Sequence, residues 1–413
     1  MDLQLTSSTS KNTKDEVKIT ISGSKSESNR LLILQQLYAT INIENLSDSD
    51  DTKHLQHALS TNNEVIDIGH AGTAMRFLTS FFATKNGRTV TLTGSERMQN
   101  RPIEILVNAL KDLGANITYK NKIGYPPITI KGGVITKNTV KINGNVSSQY
   151  ISSLLLIAPK LTNGLTIELI GKITSIPYIK MTLSLLNQLG IETQFKDNFI
   201  SVNPIKEIPK QTVVVESDWS SASYFYSLVA LNKIGYAVTL TSYKKNSLQG
   251  DSCLSEIYQN FGVTTVFEHN SITLTKTAKH NTVPFSVNLS NAPDIAQTIA
   301  VTCFGLGVAC ELTGLHTLKI KETDRLEALK NELTKLGAQI SVTNDSLDLK
   351  AATTYNKNIA IETYNDHRMA MAFAPLALKI PLIILDAEVV TKSYQKFWSD
   401  FEKVGIYTAV YKK

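Results

Sequence analysis

Four stretches of the chain share one pattern of apolar and polar positions. Apolar residues recur every three or four places, a glycine follows, and an alternating run comes next. They are LVNALKDLGANITY, LSLLNQLGIETQF, LSEIYQNFGVTTVF and LKNELTKLGAQISV, with glycines at 114, 190, 262 and 337. Glycine is the expected end of a helix and period-2 alternation marks a strand. The even spacing therefore predicts a repeated helix–glycine–strand unit. A second series runs between them: GTAMRFLTSFFA from 72, SSQYISSLLLIA from 147, DWSSASYFYSLVAL from 218, DIAQTIAVTCF from 294 and DHRMAMAFAPLAL from 366. Each opens on polar residues and continues apolar on nearly every face. SKSESNRLLILQQLY, from 24, is of the same type and makes six. A helix apolar all round is a buried one. Six buried helices with convergent polar N-termini are predicted, a geometry that suits an anionic ligand.

The length of 413 residues fits two domains better than one core. Three repeats per domain fill it: a first domain over 24–216, and a second made of 1–23 and 217–413. No Pro/Gly/Ser-rich linker separates them, so a cleft between the domains is the expected binding site. The second segment NKIGYPPITIKGG (121–133) reads as a loop and a short strand.

Charge adds one point. The formal net charge is +6, which suits acidic small molecules. Acids and bases are too intermixed for a phosphate-tracking stripe, and no aromatic–basic interleaving marks a nucleic-acid groove. Only seven residues are arginine: 30, 76, 88, 97, 101, 325 and 368. A chain that otherwise uses lysine places rigid forks where geometry matters. Three cysteines (253, 303 and 310) show neither metal spacing nor an even disulfide count. No 18-residue apolar run and no signal-peptide core is present, so a cytoplasmic protein without a membrane partner is expected.

The helix mouths hold the candidate chemistry. In GSKSESNR, Lys25 and Arg30 flank a helix start. Either an anion docks there or they are ordinary capping and solubility groups. Arg76 lies four residues behind Gly72, and Arg101 precedes Pro102 in what reads as the first turn of a helix. Ser147, Ser148 and Gln149 open another buried helix, where N-capping is the simpler reading of at least one serine. KETDR packs Lys321, Glu322, Asp324 and Arg325 together, and NDHR (365–368) opens a buried helix, where bare charge is costly unless paired or bound. Asp294 holds the equivalent place one repeat earlier. Acids and strong cations at repeated mouths suit a site that handles anions and moves protons. No dinucleotide, P-loop, zinc-protease or nucleophile-elbow motif occurs.

Taken in order, GSKSESNR, GHAGTAMR, NRPI, GNVSSQY, SIPY, SDWSSASYF, APDIAQTIA, KETDR, YNDHRMAMAF and the pair Thr391–Lys392 closely resemble the 5-enolpyruvylshikimate-3-phosphate synthase family of enolpyruvyl transferases. The resemblance runs through nearly the whole chain. It implies a two-domain inside-out α/β barrel of six βαβαββ units, three per domain, around buried parallel helices. It implies transfer of the enolpyruvyl group of phosphoenolpyruvate to the 5-hydroxyl of shikimate 3-phosphate through a tetrahedral intermediate, in the shikimate pathway to chorismate. No metal or organic cofactor is called for, and a monomer is expected.

Carried over by position, the resemblance implies Asp294 as base, Glu322 as proton donor and Lys25 beside the reacting phosphoenolpyruvate. Shikimate 3-phosphate would meet Lys25, Ser26, Arg30, Ser147, Ser148, Gln149, Ser175, Tyr178, Asp294 and Lys321. Phosphoenolpyruvate would meet Lys25, Gly72, Arg76, Arg101, Gln149, Arg325, Arg368 and Lys392. Gly72 keeps the form expected of a site sensitive to the inhibitor glyphosate. The chain departs from the family pattern at Ser22 and Phe77, where proline is usual, and at His70 and Thr317, where asparagine is usual. The sister transferase acting on UDP-N-acetylglucosamine shares the fold but often uses a loop cysteine in its first domain, and all three cysteines here lie in the second half. A catalytically silent anion-binding protein is disfavoured because Lys25, Asp294, Glu322 and Lys392 are all retained.

Overall fold

A computed structural model describes residues 1–7, 17–173 and 176–412. The chain divides into two compact units, Gly23–Val215 and the pair Met1–Ser22 with Glu216–Lys413.

In Gly23–Val215, the strand Val65–Asp67 leads through the buried helix Gly72–Ala83 to the parallel strand Thr89–Thr93. The helix Glu104–Asp112 follows, and then the hairpin Asn116–Tyr119/Ile128–Lys131, which pairs antiparallel to that sheet. The next unit repeats the plan: Thr139–Asn143, helix Ser148–Ile157, Leu165–Ile170, helix Ile176–Gln188, then Thr193–Lys196 and Phe199–Val202. The third sheet is abbreviated. Among the described residues it holds only Ile41–Glu44 and Gln211–Val214, in parallel. Its buried helix is Lys25–Leu37.

The other unit has three sheets of four strands, built around the helices Trp219–Leu231, Ala296–Leu306 and His367–Phe373. The N-terminal segment completes two of them. Val17–Ile19 lies parallel to Ala237–Thr241, and Leu3–Ser7 inserts antiparallel between Leu382–Ile384 and Ile406–Val410. The two ends of the chain are thereby locked into one sheet.

Their composition explains why these helices sit inside. In Trp219–Leu231 every residue except Ser220 is buried, and Gly72–Ala83 is buried apart from Thr73. Small polar residues let such helices approach and still satisfy hydroxyls: Ser223 and Thr298 lie 3.0 Å apart, Thr302 and Ser227 2.8 Å, and Ser80 bonds Ser153. Each such bond contributes about 1 kcal/mol net. The four helix-ending glycines all take positive φ. At Gly262 (φ 75°) glycine is required twice over, because a Cβ would also meet the Ala278 carbonyl at 2.1 Å. One sequence expectation is corrected: Pro102 is not in the first helical turn, because the helix Glu104–Asp112 starts after an N-cap at Ile103.

Candidate active site

The helix mouths of each unit gather the charged residues, and the two groups differ in how they are neutralised.

In the unit with residues 216–413, Arg325 is the hub. It opens the helix Arg325–Lys335, whose first turn is capped by the Asp324 carboxylate accepting from the Leu326 and Glu327 N–H groups. The Arg325 side chain is only 2% exposed and meets three carboxylates: Nε on Asp366 at 2.6 Å, Nη1 on Asp294 at 2.9 Å and Nη2 on Glu322 at 2.7 Å. Burial alone lowers an arginine pKa; here Asp366, Glu322 and Asp294 more than offset it and hold the guanidinium well above its usual range. Asp294, in the short 3-10 turn Pro293–Ile295, is also reached by Arg368 Nη2 at 3.2 Å and Lys321 Nζ at 3.4 Å. Asp366 caps the helix carrying Arg368 by accepting its backbone N–H at 2.9 Å. Lys392 Nζ donates to the Asn365 carbonyl at 2.7 Å. This unit therefore brings together Asp294, Lys321, Glu322, Arg325 and Arg368, with Lys392 on the adjoining turn. Arg368 Nε is buried with no acceptor, as it would be if an anion completed its shell.

Three participants were not named as site residues from the sequence, although Asp366 falls within NDHR and Ser220 within SDWSSASYF. Asp366 holds Arg325. Ser220, inside SDWSSASYF, accepts from Arg368 Nη2 at 3.3 Å and donates to Asp251. Asp251 comes from the short 3-10 turn Gly250–Cys253, 43 residues before Asp294, and its Oδ1 has no partner. Burial, then the charge of Asp294, pushes its pKa up to about 7 against the pull of Arg368 and Ser220.

In Gly23–Val215, Lys25 opens the helix Lys25–Leu37 and pairs with Asp51 at 3.2 Å. Ser24, the N-cap, makes no side-chain cap bond, and its buried Oγ lacks a partner. Ser26 follows in the first turn. Ser147 caps the helix Ser148–Ile157 by accepting the Gln149 N–H at 3.4 Å, so capping is at least part of its task, and Ser148 is buried behind it. Gln149 Nε2 donates to Thr73 Oγ1 at 3.1 Å, tying this helix to the start of Gly72–Ala83. Ser175 lies outside the described residues; Tyr178 lies in the first turn of the helix Ile176–Gln188.

Two expected forks are closed. Arg30, 2% exposed, gives Nε to Thr182 Oγ1 (2.8 Å), Nη1 to the Ser26 carbonyl (2.7 Å) and Nη2 to Ser152 Oγ (3.0 Å) and the Tyr178 carbonyl (3.4 Å). Four of its five donors are used, so it pins three helices together instead of presenting a free fork. The ring of Phe77 underlies it at 5.4 Å, which gives this departure from the family pattern a packing role; the helix Gly72–Ala83 runs through it unbroken. Arg76 is likewise buried, donating to the Gly72 and Pro102 carbonyls at 2.9 and 3.2 Å, with Tyr150 5.9 Å away. Its Nε has no partner. Burial, with Arg101 adding repulsion, pulls it down to about 10.

Arg101 is the open cation. Its guanidinium lies against Gly72, where an added Cβ would meet Nη1 at 2.5 Å. Among the described residues neither Arg76 nor Arg101 has a carboxylate partner. Arg101, open and repelled by the buried Arg76 behind it, is placed where an anion would be favoured. His70, at the preceding loop, bonds Ser95 through Nδ1 at 2.8 Å, and the buried Thr317 hydroxyl in the other unit has no partner. Among the described residues no three His, Cys, Asp or Glu side chains are grouped as metal ligands.

Repeated sheets around buried helices, with carboxylates and guanidiniums at the helix mouths, define a group-transfer enzyme of the inside-out α/β type that works on anions. Comparison with known proteins narrows the class. The profile of EPSP synthase (3-phosphoshikimate 1-carboxyvinyltransferase) matches residues 55–401. A 3-phosphoshikimate 1-carboxyvinyltransferase of Bacteroides fragilis is 45% identical over 397 residues, covering 94% of this chain and 96% of that one. One from Haemophilus influenzae (strain PittGG) is 36% identical over 429 residues, with the same coverages. The solved EPSP synthase of Acinetobacter baumannii shares the fold with a TM-score of 0.79 at 20% identity, covering 99% of this chain and all of that one. The chain belongs to the EPSP synthase family.

Proposed function

We propose that this chain transfers the enolpyruvyl group of phosphoenolpyruvate to the 5-hydroxyl of shikimate 3-phosphate, releasing phosphate, with the residues above in the following roles. The observation that carries the assignment of roles is the Asp294 carboxylate gripped by Arg325, Arg368 and Lys321 while Arg368 Nε is left without an acceptor.

The reaction joins the acceptor oxygen to C2 of phosphoenolpyruvate while C3 gains a proton. Asp294 takes the proton of the 5-hydroxyl and Glu322 gives one to C3. The tetrahedral intermediate then loses phosphate and returns a proton from C3. Arg325 links the two carboxylates. When a substrate oxygen takes the place of Glu322 on Nη2, Glu322 loses its ion pair and is free to carry the proton. Arrival of the donor thereby arms the acid. Arg101, Arg368 and Lys392 bind the phosphoenolpyruvate anions, with Lys25 and Gln149 beside it. Lys25, Ser26, Ser147, Ser148, Ser175, Tyr178 and Lys321 hold the acceptor. Arg30 and Arg76 support this set through the backbone they pin; Arg30 keeps one donor in reserve, and Arg76 keeps its Nε and one Nη2 donor.

Glyphosate would compete at the same place, because Gly72 leaves the Arg101 guanidinium exposed to a ligand. A cytoplasmic monomer completes the reading. The three free cysteines fit a reducing compartment. The test is phosphate release from phosphoenolpyruvate with shikimate 3-phosphate, and separately with UDP-N-acetylglucosamine, as acceptor. Release is expected only with the first, and to collapse in Glu322→Gln and Lys25→Ala. Release with the second acceptor alone would overturn it.

A further inference from the structure

Two consecutive residues other than glycine, Tyr364 (φ 53°) and Asn365 (φ 54°), sit in the left-handed region immediately before Asp366. The Asp366 N–H donates to the Thr363 carbonyl at 2.8 Å. Positive φ at both central positions with that bond is the mirror-image turn that glycine and asparagine favour and an aromatic residue does not. Such a conformation persists only where the surroundings hold it.

Here they hold it from outside the turn. The Tyr364 hydroxyl donates to Glu332 Oε1 at 2.7 Å, and the same carboxylate accepts the Glu362 N–H at 3.1 Å. Glu332 therefore grips the chain on both sides of Thr363. Its side chain is fully buried and lies seven residues after Arg325, two turns along the same helix and on the same face. Burial, reinforced by Glu332, raises the Tyr364 hydroxyl to about 12, so it stays a donor at neutral pH. The far end of the turn delivers Asp366 to Arg325 and starts the helix that carries Arg368.

We propose that Glu332 and Tyr364 form a latch that sets the aim of Arg368, acting as positioning residues for binding of the donor anion. Neither touches substrate. The inference rests on the reading that Arg368 binds phosphoenolpyruvate, and it adds a device that fixes where that arginine points. A helix that already anchors Arg325 thereby also fixes the second guanidinium, so the two move as one body.

The experiment compares steady-state kinetics and thermal unfolding of Tyr364→Phe, Glu332→Gln, Glu332→Ala, the double variant Tyr364→Phe/Glu332→Ala, and Arg368→Ala. Tyr364→Phe removes one oxygen and nothing else. It is expected to raise KM for phosphoenolpyruvate about tenfold, the lower end of losing a hydrogen bond to a charged group, with KM for shikimate 3-phosphate little changed. Glu332→Gln keeps an acceptor for the hydroxyl and is expected to recover most of the loss seen in Glu332→Ala. The double variant is expected to be no worse than Glu332→Ala, because one latch has been opened twice. A lower melting temperature with an unchanged KM for phosphoenolpyruvate, or equal rises in both KM values, overturns the proposal. If Arg368→Ala raises that KM and Tyr364→Phe does not, the latch alone fails. If Arg368→Ala leaves it unchanged, the donor-site reading fails and the latch falls with it.

Discussion

Asp251 is a carboxyl group placed where ionising is costly, and replacing it by asparagine should change how stability responds to pH. The side chain is 5% exposed, its Oδ1 has no partner and its Oδ2 accepts only the Ser220 hydroxyl. Burial and then the charge on Asp294 raise it from 3.8 to about 7; Arg368 and Ser220 pull the other way, and Asp218 adds to the rise. Between those two values the folded protein holds a proton that the unfolded chain has released. The folded state therefore binds more protons in this window, and stability from this group falls as pH rises through it. Three pKa units at 1.36 kcal/mol each come to about 4 kcal/mol lost by the time pH passes 7.

Asparagine keeps the shape and a hydrogen-bond acceptor for Ser220 but carries no charge at any pH. Unfolding in urea, followed for the wild type and Asp251→Asn at pH 5, 6, 7 and 8, isolates the effect, because Glu216 and the other carboxylates contribute equally to both proteins. The variant's advantage should grow by about 3 kcal/mol from pH 5 to pH 8. A difference that stays constant over that range would refute the reasoning: Asp251 would then be ionised throughout, with Arg368 supplying full compensation.

Gly72→Ala places a Cβ 2.5 Å from Arg101 Nη1. The arginine is the flexible partner, so folding should survive while KM for phosphoenolpyruvate rises about tenfold or more, measured by steady-state kinetics beside thermal unfolding. Glu322→Gln keeps a hydrogen-bonding group on Arg325 but cannot deliver a proton; kcat should fall by at least about a hundredfold, with KM for phosphoenolpyruvate within a few-fold. Arg325→Met leaves the fully buried Asp366 without its cation and should cost about 3–5 kcal/mol of stability in urea unfolding at pH 7.

The repeat was legible because burial writes itself into sequence. A helix apolar on every face has few other places to go, and a glycine at a regular step marks each helix end. Asp294 and Arg368 stood out for a related reason: charge at the mouth of a buried helix is costly unless it is used. Glu322 and Arg325 stood out only as a charge cluster in KETDR, at the start of the one-sided helix Arg325–Lys335, and the family resemblance supplied their roles. What stayed hidden depends on partners distant along the chain. Nothing in GSKSESNR says that Arg30 will find Thr182 and Ser152, so a pinned guanidinium and an open fork look alike in sequence. Asp251 stands alone in a polar stretch that forms the short 3-10 turn Gly250–Cys253, and only the fold brings it to Ser220. Residues 1–23 were expected to belong to the second domain, but which sheets their strands join was hidden, since a three-residue run such as Val17–Ile19 has no pattern that names its sheet.

The two groups of cations meet the cost of burying charge in opposite ways, and this should govern how each greets an anion. Around Asp294 the protein supplies its own counter-ions, so Arg325 and Arg368 are paired before any substrate arrives. A bare guanidinium there would carry a desolvation penalty of several kcal/mol. On the proposed assignment, a substrate oxygen at this place would exchange with a carboxylate, and the released carboxylate would then be available for proton transfer. Around Gly72 no carboxylate stands by among the described residues. Arg76 rests on carbonyls and the face of Tyr150, with Arg101 beside it. An anion arriving there relieves repulsion and displaces nothing. Direct capture without chemistry suits a binding subsite, and exchange that frees a base or an acid suits the reacting centre. The same fold repeat thus yields two kinds of helix mouth, and on the proposed assignment the placement of acidic residues would decide which one catalyses.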